Sequence, residues 1–587
     1  MRLRLRDDVY VAATDDGVRI LTHRGLARVD GTSIADWIDR LAPFLNGAHT
    51  IEELTARLPS DRVEAVKRVV DLLRACDAVQ ELPQQDDDRE VHYLERASVI
   101  AGVEPMLEPL VRAALASGLR NITVMDLDAT PGIAEVPERT EMVFYAGDGP
   151  SALPLQRACA QAAIPVALMV DTGEATWLLP PGTPGWDDVR RRMGTTTAHV
   201  GTPVLGAAAR LVRAASRALT GAMPPAERGR LVRIEQGTWT HTWHSCIPHP
   251  FARTASVSSR EEFIQRVRDL LAGEPLDQES FLRRIAPCND EHLGVFTLKE
   301  VAGPQIPLNL CRSVLADGDS EIGAGFGYDA ARRDAARKAL AAYGARMVDP
   351  RRLTGADGRP LMDSRADPDV HPERSRAVLR HGYVWAYEID DPEKVRLLPA
   401  ADVFVKRGAG LAAGDDWERA VGRGLADQCL RTAMASLSSQ SEPFPQIDIT
   451  TVDLHEEGRR CRDILTRLDE LPQVYDLTGP LGVPIFACCS GEATIGYFAD
   501  LDPAAALGEG LRCALQRLQS TGYGEAEPLP YRLRGPWQQT SAPPGDMTAV
   551  ASRLHAQGRV ALAVPLDHDP EVAAIMPYLT RVVMCDA

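Results

Sequence analysis

The apolar positions of the chain change rhythm three times. From Val9 to Val29 they fall in short runs: Val9–Ala13, Val18–His23 and Leu26–Val29, separated by Asp15-Asp16-Gly17 and Arg24-Gly25. That spacing predicts a meander of three strands. The period then lengthens. Ser33 can cap a helix through Trp37, Ile38, Leu41 and Leu45, and Thr50-Ile51-Glu52-Glu53 is a capping box for a second. After Pro59-Ser60, Val63, Val66, Val70 and Leu73 recur on one face of a third helix. Ala78–Leu82 can return as a wing. Strands and helices in this order predict an N-terminal winged helix-turn-helix.

No apolar residue occurs from 83 to 90, where Asp86-Asp87-Asp88-Arg89-Glu90 is the sharpest charge run. This stretch reads as a linker. Beyond it, short apolar runs alternate with helical patterns. Leu107–Leu119 reads as a helix, Asn121–Asp126 as a buried strand ending in an acid, and Glu141–Ala146 as a second strand. Leu155–Ala163 reads as a helix and Ile164–Asp171 as a third strand. This alternation predicts an α/β layer with a largely parallel sheet. Further on, Gly323-Ala324-Gly325-Phe326-Gly327 opens a predicted helix, Ala331–Met347. The run Gly408–Gly414 lies between a predicted strand, Val403–Val405, and a predicted helix, Trp417–Ser436. Either run could cradle phosphate, but neither matches a phosphate-loop pattern, and tight turns are the more common use of such glycines. The reading is α/β and α+β multidomain, divided at 1–85, 90–250 and 251–587.

Composition narrows the function. At about 150 residues per domain, 587 residues suit three to four domains. Lys+Arg is 65 and Asp+Glu is 82, a net charge of 65 − 82 = −17. That balance disfavours nucleic acid or an anionic membrane as the main partner. The 11 cysteines are odd in number and include no Cys-x-x-Cys, which suits a reduced, cytoplasmic chain. Met-Arg-Leu-Arg-Leu-Arg-Asp-Asp lacks the apolar core of a signal peptide, and no apolar run is long enough for a membrane span. On the third helix Arg62, Lys67, Arg68 and Arg74 are offset by Asp61, Glu64, Asp71 and Asp77. A winged helix most often binds DNA, but these mixed charges weaken that role. The other use is peptide capture. An edge strand offers unpaired N–H and C=O groups to an added strand, and the groove beside the third helix would hold its side chains.

Three resemblances sharpen this. The stretches "DDGVRILT", "VDGTSI", "LNGAHTIEEL" and the following Leu-Pro resemble a PqqD-like recognition element for ribosomally made, modified peptides. The version that opens ocin-ThiF-like proteins of azole-forming pathways is the most similar. The resemblance implies leader-peptide capture on Leu26, Ala27, Arg28 and Val29 and on Ala65, Arg68, Val69 and Leu72. Arg28 and Arg68 would pair with acidic leader side chains.

The stretches "IPVALMVDTGEATWLLPPGTPGW", "VRRRM" and "HSCIPHPF" look like a reduced ThiF-type layer. It lacks the glycine turn that meets phosphate. Only His241, His244, Cys246 and His249 remain near the usual zinc position, irregularly spaced between prolines. No cofactor and no metal is expected there.

The stretches "GAGFGYDAARRDAARKALAAYGAR", "GLAAGDDWERAVGRGLADQCLR" and "YDLTGPLGVPIFACC … DLDPAAALGEGLRCALQRLQ" resemble a YcaO domain, which activates backbone amides with ATP. The family holds Mg²⁺ with glutamates one helical turn apart. Here residues 335–348 contain no Asp or Glu. In the second stretch the two glutamate positions fall on Asp427 and Leu430, with Arg431 keeping the basic residue. In the last helix the Glu and Gln fall on Arg517 and Ser520. The chain ends Val-Val-Met-Cys-Asp-Ala, where the family carries a proline-rich tail. The resemblances together imply a non-catalytic subunit. It would present a precursor peptide to a separate YcaO cyclodehydratase for azoline formation in a thiopeptide or related pathway, with homodimers or heteromers both open. The alternative is an ATP-dependent cyclodehydratase active by itself.

Overall fold

In the computed structural model, residues 2–587 are described except 6–8, 15–16, 23–24, 32–33, 57, 83–91, 129–135, 195–205, 239, 257–258, 371, 407, 438–442, 492, 521–526, 529–536 and 539–542. Asp15-Asp16, Arg24, Ser33 and the linker at 83–90 thus lie outside the described residues. The fold is mixed α/β throughout, as the pattern predicts. The chain divides into two compact units, residues 1–186 with 195–244, and residues 187–194 with 245–587.

In the first unit, Tyr10–Thr14, Gly17–Thr22 and Gly25–Asp30 form the expected antiparallel meander, with the third strand at its edge. A second small sheet went unforeseen. Arg2–Leu5 pairs with Asn46–Thr50 on one side and Val79–Leu82 on the other. Its Arg-Leu-Arg-Leu alternation is a strand period, and it buries Leu3 completely. The helix Ser60–Ala75 turns Val66, Val70 and Leu73 onto a core with Val18, Ile20 and Ile38. The capping box at Thr50 is closed both ways: Glu53 N–H donates to Thr50 Oγ1 (3.2 Å) and Thr50 N–H to Glu53 Oε2 (3.0 Å).

The rest of this unit is built on a seven-stranded sheet. Its order is His241–Ser245, Arg230–Glu235, Ala175–Leu179, Val166–Asp171, Met142–Asp148, Ser98–Gly102 and Ile122–Asp126. The last four are parallel, but Ala175–Leu179 runs antiparallel to both its neighbours. The sheet is therefore mixed rather than largely parallel. The cause is local: Gly173, at φ 84°, allows a tight hairpin where a crossover helix would otherwise be needed. Ile122–Asp126 is also not a buried strand. It is the edge, with one neighbour, and Val124 is half exposed. The helix Gly149–Gln161 begins six residues before the expected Leu155, because Asp148 caps it by accepting from Ser151 N–H.

Among its described residues, the second unit holds three sheets. A meander of Phe296–Glu300, Asn309–Leu315 and Ser320–Gly325 precedes the helix Tyr328–Gly344. A five-stranded sheet runs Asp391–Pro399, Tyr383–Glu388, Arg559–Pro565, Leu579–Asp586, Leu411–Ala413. A six-stranded sheet is centred on Ile485–Ser490 and Gln473–Asp476. Helices Trp417–Ser436 and Pro503–Gln519 complete the unit. Val403–Val405 is not a strand. Ala400–Val403 is a helical turn, and the strand is Leu411–Ala413, inside the glycine run. Both runs serve close packing. A Cβ on Gly323 would stand 2.2 Å from Ala335 N, and one on Gly410 would stand 1.9 Å from Val582 O. Among the described residues, no helix is long and apolar enough to cross a membrane.

Candidate functional site

The edge strand of the N-terminal meander carries Leu26, Ala27, Arg28 and Val29, in register with Leu21, Ile20, Arg19 and Val18 of its one neighbour. Its other side is open for strand addition among the described residues. Arg28 is exposed, while Ala27 and Val29 are half-buried. On the helix Ser60–Ala75, Arg68 is exposed, and Ala65 and Leu72 are half-buried. Val69 is only 6% exposed and belongs to the core, so it supports the module more than it lines a surface. Val29 and Leu72 pack against that same core.

In the second unit, the helices Tyr328–Gly344 and Pro503–Gln519 meet beside the glycine-rich strand Ser320–Gly325. At that meeting point Asp334 Oδ2 accepts from Ala324 N–H (3.1 Å), Lys338 Nζ (2.9 Å) and Arg512 Nη1 (2.8 Å). Lys338 also donates to Ile322 O (3.0 Å), and Arg512 to Ala324 O (2.7 Å) and Glu509 Oε2 (2.6 Å). Burial would raise the Asp334 carboxyl, yet Arg512 and Lys338 hold it below its ordinary value. Arg337, one turn along, is ion-paired with Asp415, which also accepts from Gln278 (2.8 Å). Asp427 accepts from Gly410 N–H (2.7 Å). The nearby Glu457 is raised by burial, and repulsion from Glu509 and Asp334 adds to the shift against the pull of Arg512.

Residues 321–581 match the sequence model of the YcaO cyclodehydratases, a family described as ATP- and Mg²⁺-binding. This stretch is similar to a YcaO domain. No curated protein matches the sequence. Along nearly its whole length the chain has the fold of two solved structures. One is a heterocyclase in complex with substrate and cofactor, at 15% identity over 99% of this chain and 94% of that one, TM-score 0.58. The other is the heterocyclase TruD, at 15% identity over 99% and 94%, TM-score 0.55.

ATP and Mg²⁺ can therefore be set against the residues of this YcaO-like stretch. A magnesium ion needs carboxylate oxygens with free lone pairs. The Asp334 oxygen already has three donors, two of them cationic. Asp415 faces Arg337, and Leu430 and Arg517 stand where the family resemblance puts Glu; Arg517 donates to Thr494 O (3.1 Å). These donors do not fit a pair of metal ions. Sequence reading found the missing acids of 335–348 but not this network. Its readable part was Asp334 and Lys338 at i,i+4. Its other half, Arg512, is 178 residues away.

In the first unit, the strand Ser98–Gly102 and the helix Leu107–Ala116 are joined by Val103-Glu104-Pro105-Met106. Glu104 N–H, where a phosphate turn would offer its amides, donates instead to Asp128 Oδ2 (3.1 Å). Of the histidine–cysteine group, His244 is bonded to Thr242 (2.6 Å). His249 Nδ1 accepts from Phe251 N–H (3.2 Å). Burial pushes the Cys246 thiol up to about 12. A protonated thiol and an occupied ring nitrogen are poor metal ligands. Among the described residues, the group whose ligand atoms do lie within one ion's reach is Glu388, Asp390 and His555, and there Arg396 already grips Glu388 (2.7 Å).

Two buried histidines give the second unit an acid limit. His568 Nδ1 accepts from Asp349 N–H (3.0 Å), and burial with Arg352 pushes it down to about 3. Burial and then Arg192 push His249 down to about 2. Below pH ~6.5 the unfolded chain binds protons that these folded rings refuse. Stability is therefore full above pH ~6.5. Below it, stability falls by up to about 1.4 kcal/mol per pH unit for each histidine. Urea unfolding at steps between pH 7.5 and 5 should show this slope. A flat profile below pH 6 would contradict it.

Proposed function

We propose that the chain binds the leader of a ribosomally made precursor peptide on its N-terminal module and presents the core residues to a separate, competent YcaO cyclodehydratase. The product would be the azolines of a thiopeptide or related pathway. The observation that carries this is the pairing of an open edge strand with a YcaO domain whose acids are matched by internal cations. Arg28 and Arg68, both exposed, supply positive charge for acidic leader side chains. The sequence resemblance adds the class of partner. Removing residues 1–85 should leave the partner enzyme unable to convert the full-length precursor efficiently. Unchanged azoline formation would overturn the proposal.

A second reading has one observation in its favour: the family model that the domain matches is described as ATP- and Mg²⁺-binding. Under it the chain is a cyclodehydratase by itself. Purified protein incubated with precursor, ATP and Mg²⁺ separates the two. The first reading expects no azoline and no ADP release without the partner.

A further inference from the structure

A cavity of about 600 Å³ opens within the second unit. It lies between the 248–256 loop, the helix Arg260–Leu271 and the segment 567–578. That size suits a small organic molecule. Its walls are fixed by buried guanidiniums. Arg351, 1% exposed, donates to Pro250 O (2.9 Å) and Arg253 O (2.7 Å), and Arg192 to Ile247 O (3.0 Å) and Pro248 O (2.8 Å).

The inner lining is rich in donors. His249 and His568 both accept at Nδ1 from a backbone N–H, so each ring carries its proton on Nε2 and is an uncharged donor. Arg266 and Arg352 share the single carboxylate of Asp567, at 2.7 and 3.0 Å, which leaves one positive charge over. Arg253 and Glu571 balance each other (3.4 Å), Asp349 is held by Arg351, and Asp269 is exposed, where solvent screens it. Leu270, Pro577 and Tyr578 supply an apolar surface.

We propose that this cavity binds a small organic oxyanion, a carboxylate or phosphate carried on an apolar body. Arg266 and the two histidines face its charged end. Burial is the main cause of the two depressed histidines, and the neighbouring guanidiniums of Arg192 and Arg352 add to it. The site stands independently of the leader-binding reading.

Calorimetric titration of the full-length protein with phenyl phosphate and with benzoate tests it, with inorganic phosphate and acetate as partners lacking the apolar body. Saturable one-site binding of phenyl phosphate or benzoate is expected, and the tighter of the two identifies the oxyanion. Arg266→Gln should weaken it about tenfold or more. Arg268→Gln on the same helix, which faces Glu393 instead, should not. Ala574→Trp, at an exposed position on the lining, should block binding without disturbing the core. No saturable binding of either compound would overturn the proposal. So would affinities unchanged by both Arg266→Gln and Ala574→Trp, or inorganic phosphate binding as tightly as phenyl phosphate.

Discussion

Arg192→Ala should cost the second unit about 3–5 kcal/mol, as expected when one member of a buried ion pair is removed. The guanidinium is nearly fully buried, and Asp569 is 4% exposed. Arg192 Nη2 donates to Asp569 Oδ2 (2.7 Å) and Nη1 to Tyr343 Oη (2.8 Å), while Tyr343 donates in turn to Asp569 (2.7 Å). The same guanidinium holds the carbonyls of Ile247 and Pro248. Truncation leaves a buried carboxylate without its cation and two carbonyls without their donor. Segment 187–194 would lose its anchor to the helix Tyr328–Gly344 and to the cap of the helix Pro570–Ile575. Arg268→Ala is the contrast, because its partner Glu393 is half exposed and the pair should contribute at most about 1 kcal/mol. Urea unfolding of the two variants measures both. A loss under about 1 kcal/mol for Arg192→Ala would contradict the account.

Arg28→Glu combined with Arg68→Glu should weaken leader binding about 10- to 100-fold at low salt, mostly through slower association, and the difference from the parent chain should narrow in high salt. Both side chains are exposed, so the fold and its melting temperature should stay within the range of ordinary surface substitutions. Stopped-flow association with a fluorescent leader separates the two effects. Unchanged rates would show that the two arginines take no part.

Local signals in the sequence proved readable. The i, i+3, i+7 valines of Ser60–Ala75, the Thr50 box and the turn spacing of the meander each act within a few residues, and each matches an observed element. Arg2–Leu5 was passed over because its charges hid a period-two strand. Asn121–Asp126 reads as buried, but an apolar run does not show whether its strand stands at a sheet's edge. Sheet order is decided by partners far along the chain. The same holds at the sites. The absent acids of residues 335–348 were visible, but Arg512 reaches Asp334 across 178 residues and Arg192 reaches Asp569 across 377. Val69 could not be told from its more exposed neighbours Ala65, Arg68 and Leu72, since one helix face can serve core and surface alike.

Fluorescence anisotropy of the labelled leader of the cognate precursor, titrated with the full-length chain and with the chain lacking residues 1–85, tests the central claim most directly. The full-length chain should bind saturably, and the truncated chain, shown to be folded by its unfolding transition, should not. Equal affinity in the two, or no binding by the full-length chain, would contradict leader recognition by the N-terminal module.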